Sequence, residues 1–222
     1  MRFLTHFNYF FYLAFNWNVR IAFHLLKQEV KGEKKYGINT TGADELKHLE
    51  DVGIDIQNAT IYMPASYELL EEIYRHIDLG SYNHFLDIGS GKGRALCVAA
   101  HFGIRKMTGV DISGKLCSEA ETNLSIINKH FPGLRYDIIT KDAYFYEVPT
   151  GVDCIFMFNP FDDVILNAVA ENILESYELN PRPICIIYIN PMFKQELINI
   201  GFRQVYHVQK MKYLEAVVLK KE

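Results

Sequence analysis

The sequence predicts an α/β fold in which a mostly parallel sheet carries helices on both faces, preceded by a helical N-terminal extension. From residue 84 onward, short apolar runs of strand length alternate with longer runs of helical periodicity. Continuous apolar strands separated by helices are typical of parallel sheets that are buried on both faces. Near the C-terminus, the strand-like runs 203–209 and 213–219 are joined by only a few residues, which favours an antiparallel pair.

The predicted elements follow one another in a regular order. Strands are expected at 84–88, 107–112, 136–140, 154–159 and 184–190, and helices at 93–102, 115–130, 164–177 and 192–200. An earlier helix is expected to begin at Ser66 as N-cap, with an apolar face formed by Leu69, Leu70, Ile73, Tyr74 and Ile77.

The strongest functional indication is the turn after the first of these strands, Asp87-Ile88-Gly89-Ser90-Gly91-Lys92-Gly93. A strand that turns through glycines into a helix brings backbone N–H groups and a helix N-terminus to one point, which attracts a negatively charged or carboxylate-bearing ligand. Glycine is needed where a side chain would block the ligand or forbid the turn. Alone, such a turn suits a dinucleotide, a flavin or another nucleoside ligand.

Three acidic residues narrow the choice of ligand. Asp87 ends the first strand, Asp111 ends the second and Asp142 follows the third. An acid in the second position can accept hydrogen bonds from both ribose hydroxyls, and a carboxylate in the third can bind an exocyclic amine of adenine. Because the carboxyl ends of neighbouring parallel strands meet at one edge of the sheet, these residues predict a nucleoside site at that edge.

These residues resemble the motifs of the class I S-adenosylmethionine-dependent methyltransferases. The stretch 87–93 matches their first motif, Asp111 their ribose-binding acid, Asp142 their adenine-side acid, and 153–161 their fourth-strand motif at the catalytic edge. The resemblance covers residues 62–222 and implies a doubly wound, Rossmann-like sheet of seven strands. It also implies an enzyme that uses S-adenosyl-L-methionine as cofactor. The implied cofactor-binding residues are Tyr62, Asp87, Gly89, Ser90, Gly91, Gly93, Asp111, Ile112, Asp142, Ala143 and Asn159.

Asn159, Pro160 and Phe161 are the implied catalytic residues. They resemble the (Asp/Asn)-Pro-Pro-(Tyr/Phe) motif of methyltransferases that modify planar amino groups, but only one proline is present, which argues against a nucleobase acceptor. With Gly91-Lys92-Gly93-Arg94, they also resemble a bacterial group related to the seven-strand histone-lysine methyltransferases. No basic tail for a nucleosome is visible, so that substrate is not carried over. A nitrogen acceptor on a protein side chain or a small molecule is expected.

Several of these residues have a structural alternative. Asp87 could orient the loop through backbone N–H groups, and Asp111 could serve as a helix N-terminal acid. Lys92 and Arg94 are interpreted as solvated residues at a helix start, with binding of a substrate or a carboxylate as the alternative. Asp162 and Asp163 are interpreted as helix caps rather than catalytic acids. Two other classes of protein use such a turn. An NAD-dependent oxidoreductase would need the spacing GxGxxG, which the turn 89–93 does not have. A non-catalytic module that binds an S-adenosyl ligand or a nucleotide stays open.

The N-terminal region, residues 1–61, is expected to be a helical extension with a loop, and a possible lid on the domain formed by 62–222. Eight aromatic residues lie between Phe3 and Trp17. This stretch is too polar for a transmembrane span and lacks a cleavage site for a signal peptide. It is interpreted as a helix docked on the domain or another subunit, or alternatively as a membrane-surface or partner-binding helix within 1–28. The charged stretch 29–42 is expected to be a linker or a mobile loop.

Composition limits the remaining possibilities. The net charge of −4 over 222 residues gives no general attraction to nucleic acid or anionic membranes. The eight histidines show no metal-ligand spacing, so no metal site is expected. The four cysteines are interpreted as core residues of a protein in a reducing compartment, the cytoplasm. They are Cys97, Cys117, Cys154 and Cys185.

Overall fold

A seven-stranded sheet forms the centre of the computed structural model, which describes residues 6–7, 9–11, 14–15, 19–42, 64–158, 162–210 and 214–222. The strands are β1 (Phe85–Ile88), β2 (Lys106–Asp111), β3 (Arg135–Thr140), β4 (Cys154–Phe158), β5 (Ile184–Ile189), β6 (Arg203–Lys210) and β7 (Leu214–Lys221). The helices are α1 (Val19–Tyr36), α2 (Tyr67–His76), α3 (Arg94–His101), α4 (Gly114–His130), α5 (Asp163–Leu179) and α6 (Lys194–Asn199).

The sheet has the strand order β3-β2-β1-β4-β5-β7-β6. Strands β1 to β5 pair in parallel, and β7 runs antiparallel to both β5 and β6. The predicted α/β fold with an antiparallel C-terminal strand is therefore confirmed. The chain leaves β1 toward β2 and β3 and returns to β4 on its other side. In such sheets, ligands bind beyond the carboxyl ends of the strands at this reversal.

Two apolar layers cover the sheet, and β1 contributes to both. Phe85 packs in the layer beneath α2, α3 and α4, whereas Leu86 and Ile88 pack in the layer beneath α5. Alternation along a strand therefore places Asp87 on the same face as Phe85, toward α3. The four cysteines are buried and free, as predicted for core residues. Among the described helices, none is both long and apolar enough to cross a membrane.

The predicted linker over 29–42 is wrong. Helix α1 continues to Tyr36, and residues Ile38, Thr40 and Thr41 behind it are buried. The Glu33 carboxylate accepts the backbone N–H groups of both Thr40 and Thr41 at 2.8 Å, which ties the chain back onto its own helix. The many charged residues of this stretch predicted exposure to solvent, but two of them, Glu29 and Glu33, are buried. The predicted domain boundary at Ile61 lies in 43–63, outside the described residues.

Helix α1 is held against the sheet domain by a buried ion pair. Arg94, 3% exposed at the start of α3, donates from both terminal nitrogens to the Glu29 carboxylate, and its guanidinium lies 4.1 Å from the centre of the Tyr67 ring. Its Nε donates to Thr40 Oγ1 and its Nη1 to the Ala65 carbonyl, each at 2.8 Å. The interpretation of Arg94 as a solvated helix-start residue is therefore wrong. All three nitrogens of the guanidinium donate hydrogen bonds to Glu29, Thr40 or Ala65. These partners are 29 to 65 positions away in the sequence, so a local pattern does not reveal them.

Helices α1 and α2 also pack closely at Gly32. A Cβ atom there would lie 2.1 Å from Cδ2 of the buried Tyr67 ring. Ser66 stands at the N-cap position of α2, as predicted, but its hydroxyl makes no capping bond. It donates instead to Gln28 Oε1 on α1 at 3.1 Å. The start of α2 is therefore held by α1 rather than by its own cap.

We expect Arg94→Met to destabilise the protein by about 3–5 kcal/mol, because it leaves the Glu29 carboxylate buried without its cation. The double variant Arg94→Met/Glu29→Leu should recover most of this loss, since it removes the unpaired charge. Chemical denaturation measures both changes. The control is Arg75→Met, which breaks an exposed pair with Glu71 and should cost less than about 1 kcal/mol. A double variant no more stable than the single one would contradict the charge argument.

Gly32→Ala should destabilise the protein by about 1–2 kcal/mol, although alanine favours helix, because the new methyl group overlaps the Tyr67 ring. Gly114→Ala is the matched control within a helix. Its Cβ would lie 3.8 Å from the nearest atom, Thr140 Cγ2, so this change should be neutral or stabilising. Denaturation midpoints of the two variants compare them directly. Equal effects would mean that α1 does not pack on α2 as described.

Candidate functional site

The turn between β1 and α3 is built on glycines in left-handed backbone conformation. Gly89, Gly91 and Gly93 have φ values of 79°, 52° and 75°. A side chain at φ values in this region is strained, so the two-residue spacing of the glycines follows from the path of the chain. The N–H groups of Gly89 and Ser90 both donate to the Val110 carbonyl, at 2.8 and 2.9 Å. The turn is thereby fixed to the end of β2.

Gly109 in β2 is a site residue that sequence analysis did not single out. A Cβ atom there would lie 2.9 Å from Ser90 Oγ and 2.8 Å from side-chain atoms of both Leu96 and Ile138. Its glycine identity lets the turn lie directly on β2. The sequence Gly109-Val110-Asp111 carries this signal, since a glycine inside a strand often marks the close approach of another backbone.

Asp111 joins two of the loops at this edge. Its Oδ2 accepts the Gly91 N–H at 2.7 Å, and its Oδ1 accepts the Ser113 N–H at 2.9 Å. Its backbone carbonyl accepts the N–H of Lys141, which follows β3, at 3.0 Å. Burial raises the pKa of the Asp111 carboxyl, while the two N–H groups lower it. Each oxygen keeps a second lone pair, so the carboxylate can still accept hydrogen bonds from a ligand.

Asp87 is the most unusual residue of the site. It is 2% exposed, and its Oδ1 has no hydrogen-bond partner among the residues that the structure describes. Burial raises the pKa of this carboxyl well above its ordinary value, and the nearby Asp111 charge adds to the effect. Ser90 Oγ, also buried, likewise has no partner within the described chain. Buried polar atoms are normally hydrogen-bonded, so these two oxygens leave acceptor capacity that donor groups of a ligand could use.

The remaining predicted residues fall into two groups. Asp142 and Ala143 begin a short 3-10 turn after β3, where Asp142 Oδ1 accepts the Tyr144 N–H at 2.9 Å and Ala143 packs in the core. Ile112 follows Asp111 at the end of β2 and is half-buried. The structure thus brings these three to the same sheet edge as the glycine turn. Tyr62, Asn159, Pro160 and Phe161 lie outside the described residues.

Lys92 is also not a solvated residue. It is buried within the glycine turn, where its Nζ lies 3.2 Å from Glu119 Oε2 and donates to the Thr41 carbonyl at 3.5 Å. Asn123 on α4 donates to the carbonyls of both Lys92 and Asn39, at 3.0 and 3.1 Å. The segment behind α1 therefore contacts the back of the turn. Asp162 caps α5 through the Ile165 N–H, which confirms its interpretation as a helix cap.

These features together fit an S-adenosyl ligand. The three left-handed glycines expose backbone at the turn, and the unpartnered oxygens of Asp87 and Ser90 can accept donors from an amino-acid end. Asp111 stands at the end of the neighbouring strand, where a ribose would need acceptors.

Solved methyltransferase structures share this fold. The ribosomal protein L11 methylase from Lactobacillus delbrueckii subsp. bulgaricus is 16% identical, with 68% of this chain and 76% of that chain covered and a TM-score of 0.53. The Pyrococcus abyssi tRNA (uracil-54, C5)-methyltransferase, in complex with S-adenosyl-L-homocysteine, is 16% identical over 72% of this chain and 39% of that chain, with a TM-score of 0.53. StiE O-MT is 15% identical over 70% and 73%, also with 0.53. At these identities the likeness shows the fold alone.

A family model gives the assignment. The model of the histone methylation protein DOT1 matches residues 41–176, more than half of the chain. The matched residues contain β1 to β4, the glycine turn and the three acids described above. A comparison with curated proteins gave no match. This chain therefore belongs to the DOT1 family and is a class I S-adenosylmethionine-dependent methyltransferase.

Proposed function

We propose that this protein transfers a methyl group from S-adenosylmethionine to a nitrogen atom on a protein side chain. The observation that carries the cofactor half of the proposal is the pair of buried, unpartnered oxygens of Asp87 and Ser90 beside three left-handed glycines. A protein acceptor is supported by the name of the matching family, histone methylation protein DOT1. A nitrogen acceptor is supported by the sequence Asn159-Pro160-Phe161 after β4.

The proposed cofactor site assigns a task to each strand end. Gly89, Ser90, Gly91 and Gly93 would contact the methionine part of the cofactor, and Asp87 would accept a hydrogen bond from its ammonium group. Asp111 and Ile112 would bind the ribose. Asp142 and Ala143 would border the adenine, and Tyr62 would close over the cofactor.

Methyl transfer from S-adenosylmethionine depends more on positioning the acceptor than on acid–base catalysis. When bound, S-adenosylmethionine supplies a methyl group on a positively charged sulfur. The task of this chain is to hold the acceptor nitrogen in line and to exclude water, which is how proximity and desolvation accelerate such reactions. In this proposal, Asn159 and Pro160 orient the amine through a side-chain or backbone carbonyl, and Phe161 packs against it.

The N-terminal region would form one side of the acceptor site. We propose that residues 1–61 act as an extension and lid on the domain 62–222. The contact of the Thr41 carbonyl with Lys92 supports this, because it links the segment behind α1 to the glycine turn. A cytoplasmic location is also part of the proposal, and the four free, buried cysteines support a reducing compartment.

Asp87→Asn should separate stability from binding. Since burial raises the pKa of the Asp87 carboxyl above its value in the unfolded chain, its ionisation opposes folding above that ordinary value. The variant should therefore melt no lower than the native protein, and up to a few degrees higher, at about pH 7, with the difference fading toward about pH 4. Its affinity for S-adenosylhomocysteine should fall about tenfold or more, because an acceptor for a cation is lost.

Thermal unfolding at both pH values and calorimetric titration measure these two quantities. Asp137→Asn, at an exposed carboxylate of β3, is the matched control and should change neither. Asp87 would be merely a structural residue if its asparagine variant melted lower yet bound the ligand normally.

Asp111→Asn and Asn159→Ala should affect cofactor binding and methyl transfer to different extents. The first removes a charged acceptor from the ribose position and should weaken S-adenosylhomocysteine binding about tenfold or more. The second should lower methyl transfer at least about tenfold and weaken binding less than Asp111→Asn does, because Asn159 would position the acceptor in addition to contacting the cofactor. Glu121→Gln, an exposed change on α4, controls for both.

Transfer is measured with tritiated S-adenosylmethionine and core histones, by counting precipitated protein before and after mild base. N-methyl bonds survive this treatment, whereas carboxyl methyl esters hydrolyse. Base-labile label, or label confined to small molecules, would contradict the proposed acceptor. Binding of S-adenosyl ligands without any transfer would indicate a non-catalytic module, and binding of NAD alone would overturn the cofactor site.

A further inference from the structure

The described residues between 6 and 15 are helical and pack against α1, and this pair of arms is called the hairpin here. His6 Nε2 lies 3.3 Å from Glu33 Oε2, although 27 positions separate the two residues. Tyr9 and Ala22 are buried together, and Phe10, Ala14 and Leu25 pack against them. The helical residues between 6 and 15 therefore run back along α1. The contacts between the two arms bury the inner side of this hairpin, and the exposed residues lie on its outer side.

The outer side of the first arm is aromatic. Phe7, Phe11 and Phe15 recur at every fourth position and thus share one face of a helix. The rings of Phe7 and Phe11 lie 4.7 Å apart, and Phe11 and Phe15 are 55% and 93% exposed. Soluble proteins seldom expose adjacent large apolar side chains without a binding function.

Helix α1 of the same hairpin has an exposed face of its own, which carries positive charge. Val19, Phe23, Lys27 and Lys31 follow one another at every fourth position, and all four are exposed. Phe23 is 66% exposed. Every exposed charged side chain of α1 is basic, because its two acids, Glu29 and Glu33, are buried. The exposed basic residues are Arg20, Lys27, Lys31, Lys34 and Lys35.

The acids near these lysines leave the surface positive. A groove between α1 and α2 is lined by Lys27, Lys31 and Lys35 together with Glu68 and Glu71. Glu71 pairs with Lys35, and Glu68 pairs with Lys210. Lys27 and Lys31 form no ion pair with the described residues. Lys27 and Lys31 can therefore bind an anionic group at this groove, although the whole chain carries a net charge of −4.

We propose that this hairpin binds the surface of an anionic lipid bilayer. Exposed phenylalanines beside a lysine-rich face are the features of helices that lie in a membrane interface, where rings enter the headgroup region and cations meet lipid phosphates. A second copy of the chain is a poorer occupant, because it would bring the same positive face. The binding is peripheral and independent of the cofactor site.

The test is co-sedimentation of the full chain with vesicles. The native protein should sediment with vesicles of phosphatidylcholine containing about one-third phosphatidylglycerol and not with phosphatidylcholine alone. The triple variant Lys27→Glu/Lys31→Glu/Lys34→Glu should lower the partition coefficient at least about tenfold. Phe15→Ser/Phe23→Ser should lower it by a similar factor, since it removes the inserting rings.

Two matched variants control for charge and for apolar area. Lys129→Glu/Arg135→Glu/Lys194→Glu makes the same charge change elsewhere on the surface, and Leu179→Ser/Val205→Ser removes exposed apolar side chains elsewhere. Neither should alter the partition coefficient. S-adenosylhomocysteine titration should give the native affinity for all variants, which shows that they are folded.

Three outcomes would overturn the proposal. The first is the absence of sedimentation with either vesicle, and the second is equal sedimentation with neutral vesicles. The third is binding of single-stranded RNA or polyglutamate, but not of vesicles, that is lost in the lysine variant. That result would identify a polyanion as the partner.

Discussion

The turn from β1 into α3 is the constraint on which the rest of the structure depends. Three residues in left-handed conformation bring the chain from the centre of the sheet to a helix start within a few positions. Only glycine adopts this backbone without strain. The same turn leaves Asp87 buried without a partner in the described chain, sets Ser90 against Gly109, and brings Gly91 to Asp111. Burial of this carboxylate is unfavourable, as the raised pKa of Asp87 indicates.

Arg94 connects this turn to the N-terminal helix. It begins α3 directly after Gly93, and its guanidinium reaches Glu29, 65 positions earlier. Removing water from both charges costs free energy. This cost is offset by the hydrogen bonds of Arg94 to Thr40 and the Ala65 carbonyl, by the hydrogen bond that Thr41 donates to Glu29, and by the Tyr67 ring. A change in the packing of α1 therefore acts on the helix that carries the turn. This contact couples the packing of the N-terminal helix to the helix that follows the glycine turn.

The two sides of α1 serve different purposes. Its inner side holds Glu29, Glu33 and Gly32, each fitted to a group of the domain. Its outer side holds exposed basic and apolar residues, of which Lys35 pairs with Glu71. Since the acids are all turned inward, a helix of mixed composition presents a positive surface. Composition alone hides this separation, because the buried acids still count in the net charge.

Local features of the sequence determined the architecture and most of the candidate site. Strands and helices differ in the period of their apolar residues, which predicts the order of the elements and the fold. Glycines and acids mark the ends of the strands, and parallel strands bring these ends to one edge of the sheet. The positions of Asp87, Gly91 and Asp111 at that edge therefore followed from the sequence. The tertiary structure alone decided which charges are buried. The sequence predicted that Arg94 and Lys92 are exposed to solvent and that 29–42 is a linker. Both predictions were wrong because the partners of these residues are distant in the sequence. Burial, pKa and pairing are properties of contacts between segments, and no local pattern carries them.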